Sequence, residues 1–229
     1  VVTIRALRHH GGSPKEEYNT PDIERVGIGL ANLEKHIENA KKFGINPVVS
    51  INHFVTDSDE EIKLIVSRCD DLGVKAVLAR GWELGGEGAK ELAQAVIDSV
   101  ERGNNKFKQL YDWGLPVKEK IETIAREVYG AVSVNYERQA MIDLKRIEKL
   151  GLSGLPICMA KTQKSLSDDE TLRCRPEGFT VTVREFEFAA GAGFLIPILG
   201  KMMRMPGLPK HPASEGMDID ENGVISGLS

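Results

Sequence analysis

Two stretches of this chain carry the same hydrophobic pattern. Residues 48–52 and 76–80 are short apolar runs of strand type, and each leads straight into a large aromatic, His53-Phe54 after the first and Gly81-Trp82 after the second. Between them, Ser58 with Glu60 and Glu61 makes an N-cap, and Ile62, Ile65 and Val66 share one face of a helix that Gly73 ends. Upstream, Leu30, Leu33, Ile37 and Ala40 recur at helical spacing, which predicts an amphipathic helix over 28–43 stopped by Gly44. If the two strands are parallel neighbours, the loops after them open at one sheet edge, where open α/β sheets bind ligands. Phe54 and Trp82 would then face one crevice and grip something flat.

The alternation continues. Leu92, Ala95, Val96 and Val100 mark a helix over 87–101, and Pro116 suits the first turn of another running to Tyr129. A strand over 131–135, a helix over 137–150 and a last parallel-type strand over 155–160 follow. This order predicts an α/β fold with a largely parallel sheet and flanking helices. After Ala160 the character changes: 179–188 alternates with period two, Gly191-Ala192-Gly193 breaks it, and 194–199 is another strand. A smaller, separate β-rich portion is expected there, with the Pro- and Gly-rich tail over 205–228 wrapping a surface. Residues 1–6 read as a buried strand that begins abruptly, so the chain is expected to be a fragment.

Composition narrows the classes of function. A net charge of −4 and pI near 5.8, without a polybasic run, offer no field for nucleic acid or an anionic membrane. No apolar stretch approaches the roughly 18–20 residues that span a bilayer. Cys69, Cys158 and Cys174 lack CxxC spacing, which fits a reducing cytosol, and Cys158 in mid-strand is expected to be inert core.

Several motifs fail on their chemistry. Gly85-Gly86-Glu87-Gly88-Ala89-Lys90 lacks the adjacent Gly-Lys-Ser/Thr of a Walker A loop, leaving a tight connection or a glycine turn facing a ligand. The run from Asp218 to Gly223 opens like a calcium loop, but its twelfth position is Ser229 rather than glutamate, so a hairpin turn is expected. Adjacent His9 and His10, in an extended segment, point to opposite faces and share no metal. No Cys or Ser stands in a triad context. Lys161-Thr162-Gln163 follows a strand, so Lys161 meets an anionic group of a ligand or stands in solvent as part of a capping loop.

Residues 1–12, Val1-Val2-Thr3-Ile4-Arg5-Ala6-Leu7-Arg8-His9-His10-Gly11-Gly12, resemble a signature of formate-tetrahydrofolate ligases, with Val2 where that family usually has alanine. The likeness extends to Ala31-Asn32-Leu33-Glu34-Lys35-His36-Ile37, the Phe54 and Trp82 loops, Met159-Ala160-Lys161-Thr162-Gln163, Ser165-Leu166-Ser167-Asp168-Asp169, Gly191-Ala192-Gly193-Phe194 and Pro206-Gly207-Leu208-Pro209. It runs from end to end.

That resemblance implies formation of 10-formyltetrahydrofolate from formate, ATP and tetrahydrofolate by way of enzyme-bound formyl phosphate. It also implies that Phe54 and Trp82 sandwich the pterin ring and that Leu78 lines the folate pocket, on Trp82's side if the strand continues that far. P-loop NTPase-like or Rossmann-like layers, a cytoplasmic homotetramer, ATP with magnesium and often a monovalent cation are implied too. None of these co-substrates or ions is assignable to residues here. Members of the family carry a glycine-rich ATP loop with its lysine, and an arginine that stabilises the transferring groups; no segment here matches either. The chain therefore reads as the C-terminal part of such an enzyme. Residues 1–36 would close a nucleotide-binding domain, 37–167 form an α/β folate-binding domain, and 168–229 a small β-rich portion. Alone, without the missing N-terminal portion as partner, it is expected not to catalyse ligation. The alternative is a non-catalytic α/β scaffold or assembly module without a competent pocket when isolated.

Overall fold

The structure, a computed structural model, describes residues 1–202 and 211–227. The match at Pro206-Gly207-Leu208-Pro209 and part of the expected tail lie outside these residues. The first element corrects the expectation of a strand over 1–6. The Thr3 hydroxyl accepts the Ala6 amide and starts helix α1 (Ile4–His10), which buries Ile4, Leu7 and Arg8 at helical spacing. Only Val2 pairs as a strand residue, bridging Ile51 in parallel. The β-branched run at the start is outweighed by the cap and by the face it buries.

Helix α2 (Ile23–Lys42), capped by Asp22, packs Val26, Leu30, Leu33 and Ile37 into the first core. It crosses α1 at Gly29, where an added Cβ would lie 2.1 Å from the Leu7 carbonyl oxygen. Gly29→Ala should therefore cost about 1–3 kcal/mol by forcing the helices apart, read as a lower urea midpoint.

Strand β1 (Val49–Asn52), helix α3 (Asp59–Asp71) and strand β2 (Ala76–Ala79) form the expected unit. The two strands are parallel, with Val49 opposite Ala76 and Asn52 opposite Ala79. Ser58 and Glu61 close a reciprocal capping box on α3. A short helix α4 (Gly81–Leu84) and a tight turn at Gly85–Ala89 lead into α5 (Lys90–Glu101).

A second core gathers around α6 (Val117–Ile124), β3 (Ser133–Tyr136), α7 (Arg138–Lys149), β4 (Thr180–Ala189) and β5 (Phe194–Leu199). β3 and β4 are parallel, β4 and β5 antiparallel. The chain is thus a mixed α/β protein with parallel strand pairs, and its parallel pairs divide between two sheets rather than joining one. β4 of the β-rich portion adds to the sheet that β3 begins.

Residues 155–160 lie along β5 as two isolated parallel bridges, Ile157 to Leu195 and Ala160 to Ile198, instead of a full strand. Leu195 donates to the Pro156 carbonyl and Leu199 to Ala160, but Pro197 between them has no N–H to give. Cys158 is exposed there, not core.

The end of the described chain is a hairpin of β6 (Asp218–Ile219) and β7 (Ile225–Ser226), its turn held by Asp220 Oδ1 accepting from the Asn222 and Val224 amides at 2.9 and 2.8 Å. The calcium-like run is that turn. Among the described residues no helix is long and apolar enough to cross a membrane.

The polar face of α2 clamps the two cores together. Asn32 Nδ2 donates to the Cys174 carbonyl at 2.7 Å, Lys35 Nζ to Glu127 at 3.0 Å and Asn39 Nδ2 to Val128 at 2.9 Å. Asn32 and Lys35 belong to the run that resembles a family signature; Lys35 and Asn39 satisfy carbonyls of the turn that continues α6, and Asn32 satisfies that of Cys174.

Candidate ligand-binding site

Because β1 and β2 are parallel, the aromatic loops leave the sheet at one edge. The His53 amide donates to the Ala79 carbonyl at 3.0 Å, carrying the ladder one residue past Asn52. His53 Nδ1 also lies 3.9 Å from Glu83 Oε2, and Arg80 holds Glu83 through bonds of 2.9 and 2.7 Å. The loops after the two strands are therefore tied to each other. The Arg80 amide donates to the Gly88 carbonyl at 3.1 Å, and a Cβ at Gly88 would lie 2.3 Å from the Arg80 carbonyl oxygen, so the glycine-rich turn is a tight connection.

Phe54 opens a turn. Its amide donates to Asp57 Oδ2 at 2.8 Å, and the Asp57 amide returns a bond to the Phe54 carbonyl at 2.9 Å. The Arg5 guanidinium sits 3.8 Å from the centre of the half-buried Phe54 ring, a cation–π contact.

Behind the turn lies a buried charge network. Arg8, 0 % exposed, grips Glu61 through bonds of 2.8 and 2.6 Å and donates to the Tyr18 and Thr56 carbonyls. Burial alone would raise the Glu61 carboxyl; Arg8, the Asp22 and Ser58 amides and the Ser58 hydroxyl outweigh it and hold the pKa at about 2.

Trp82 stands at the start of α4 and is 66 % exposed. Among the described residues no ring contact joins it to Phe54. Leu78 lies opposite Ile51 in β2, partly buried against the first core. It also borders a cavity of about 610 Å³ with Gln94 and Ala95 of α5. The strand stops at Ala79 and Arg80 turns into α4, so strand alternation does not carry from Leu78 to Trp82.

Lys161 follows the segment bridged to β5, in the other sheet. Its ammonium donates to the Thr162 and Ser165 carbonyls and lies 5.0 Å from the Tyr129 ring centre, half-buried rather than in solvent. Burial pulls its pKa down to about 8 against the opposing charge of Asp168.

A neighbouring group escaped the sequence reading. Arg5, His9, His10, Lys15, Lys164 and Arg173 line a cavity of about 900 Å³. His9 and His10 are on a helix, not an extended segment, and their rings meet edge to face at 5.1 Å. Their pKa values fall, that of His9 through burial and then Arg173 and Lys164, that of His10 to about 4 through burial and then His9, His36 and Arg173. The available signal was the i, i+4 spacing of Arg5 and His9 behind a Thr3 cap.

Fold and site together define an α/β protein whose candidate binding groups follow the carboxyl ends of paired parallel strands, the edge at which open α/β sheets take ligands. A family model described as formate–tetrahydrofolate ligase matches residues 1–229, and the chain belongs to that family. Its chemistry is accordingly that of ligases acting on formate and tetrahydrofolate in one-carbon metabolism. The residues described do not form a Walker loop for ATP and magnesium. Lys90 pairs with Glu87 at 2.7 Å in solvent, and no cluster of three or more His, Cys, Asp or Glu converges among them.

Proposed function

We propose that this chain supplies the folate-ring site of an enzyme that forms 10-formyltetrahydrofolate from formate, ATP and tetrahydrofolate through formyl phosphate. The carrying observation is the parallel register of β1 and β2, which opens the Phe54 and Trp82 loops at one edge. Phe54 and Trp82 stack on the two faces of the pterin, and Leu78 lines the strand beneath. Lys161 has the weaker claim on an anionic group, because two carbonyls already hold its ammonium. N10 then attacks the formyl carbon of formyl phosphate and phosphate leaves. Fixing the ring fixes N10 in line with that carbon, and such positioning is worth roughly 7–11 kcal/mol.

ATP, magnesium and a monovalent cation are handled by groups outside these residues, in a further portion of the enzyme and a homotetrameric assembly in the cytoplasm. The chain alone is then inactive in ligation. The division into 1–36, 37–167 and 168–229 belongs to the same proposal; α2 crosses its first boundary unbroken. Titrating tetrahydrofolate into the chain while following tryptophan emission tests the reading. Saturable quenching that disappears in Trp82→Ala, with Trp113 as the remaining reporter, is expected. Absent quenching, or equal quenching in the variant, would leave the scaffold reading instead.

A further inference from the structure

We propose that the cationic basin beside Phe54 is a second subsite, which takes an extended group bearing two or more negative charges. Its use in catalysis rests on the folate reading above; its chemistry does not. Arg5, Lys15, Lys164 and Arg173 line the basin against one carboxylate, Glu170, which is paired with Lys164 at 2.7 Å. A volume of about 900 Å³ exceeds what one small ion fills, whereas a run of carboxylates or phosphates would pass from cation to cation. Arg5 joins this basin to the ring site, since it lines the cavity and covers Phe54 at 3.8 Å.

The basin is built, not a chance gathering of surface side chains. Helix α1 sets Arg5 and His9 one turn apart, and the buried network behind them anchors Tyr18, another lining residue, through Arg8. Arg173 is brought in by a strained turn: Cys174 takes φ +64°, a left-handed conformation uncommon outside glycine. The turn is held from two sides, with the Cys174 amide donating to His10 Nδ1 at 3.1 Å and its carbonyl accepting from Asn32 at 2.7 Å. With Nδ1 of His10 accepting, the ring's proton is on Nε2, a donor. Burial first and then the crowding of like charge lower the pKa of both histidines, and the second of these is what an incoming anion would relieve.

The test uses the whole 229-residue chain and two probes without a ring, a triglutamate peptide and inorganic tripolyphosphate. Histidine ring resonances are followed by NMR, with His9→Gln and His10→Gln for assignment. A saturable shift of His9 and His10 with either probe is expected, weakened about tenfold or more in Lys15→Gln/Arg173→Gln. A response to triglutamate assigns the basin to a carboxylate tail, and one to tripolyphosphate assigns it to nucleotide phosphate. No saturable shift with either probe, or undiminished affinity in the double variant, overturns the proposal. Should Arg173→Gln perturb the circular dichroism, exposed Lys15→Gln alone decides, expected weaker and refuting if unchanged. Because neither probe carries a ring, loss of Trp82 quenching by tetrahydrofolate and loss of this response are separate failures.

Discussion

Arg8→Met should lower the unfolding free energy by about 3–5 kcal/mol in a urea titration, the cost of breaking a buried ion pair on one side. The loss exceeds that of an ordinary core substitution because Glu61 would keep its charge with its strongest partner gone. Arg8 also donates to the Tyr18 and Thr56 carbonyls at 2.7 and 3.2 Å, and these would lose a partner in a buried place. A paired apolar replacement, Arg8→Met with Glu61→Leu, should not recover wild-type stability. Glu61 accepts the Asp22 and Ser58 amides at 2.8 and 3.0 Å, and those donors would be orphaned in turn. Recovery to wild type would show that the network contributes little to stability.

The same network sets an acid limit. Glu61 titrates at about 2 in the folded chain against an ordinary 4.5, so its contribution is fully present above about pH 4.5. It is lost as the pH falls toward 2, where the folded carboxylate takes up a proton and Arg8 loses its partner. Glu61→Gln should flatten the fall in stability over that window. The Phe54 turn follows the network, since Thr56 is bonded to Arg8 and Asp57 lies 3.8 Å from it. Amide exchange at residues 54–57 should therefore quicken in Arg8→Met even under conditions that keep the fold.

What could be read in the sequence was local, and what could not was paired across distance. The unit β1, α3, β2 was legible because Ser58 and Glu61 close their box within one turn and Gly44 and Gly73 take left-handed φ of +71° and +65° after their helices. The parallel pairing then followed from the apolar runs. Arg8 is the contrary case. Nothing near it in the chain marks it as buried, because its partner Glu61 is 53 positions away. Lys120 is alike: it is fully buried inside α6 only because its ammonium reaches the Ser153 and Leu155 carbonyls at 2.7 and 3.0 Å.

The start of the chain misled through composition, since Val-Val-Thr-Ile favours strand while the Thr3 cap and the buried Ile4 and Leu7 favour helix. That misreading also hid the basin, whose members come from α1 and from a turn more than 150 positions later. Residues 155–160 were overread for a smaller reason: Pro197 on the facing strand cannot donate. The aromatic pair was visible because each ring closely follows an apolar run, so one pattern gave both the strand and the sheet edge its loop leaves from.

Trp82→Ala should weaken tetrahydrofolate binding roughly 5- to 150-fold by calorimetry, the loss of about 1–3 kcal/mol of stacking on one face. Since Trp82 is 66 % exposed, the substitution should leave the urea midpoint nearly unchanged, within about 0.5 kcal/mol. The affinity loss then reports ligand contact and not folding. Phe54→Ala should weaken binding over a similar range but with a second consequence. It removes the ring under Arg5, whose guanidinium stands 3.8 Å from its centre, and so frees a cation at the mouth of the site. Affinity for a folate bearing a charged tail should then fall less in Phe54→Ala than affinity for the bare tetrahydropterin ring, while Trp82→Ala treats the two ligands alike. If both single variants bind as tightly as wild type, the rings do not hold the pterin, whatever else the edge of β1 and β2 binds.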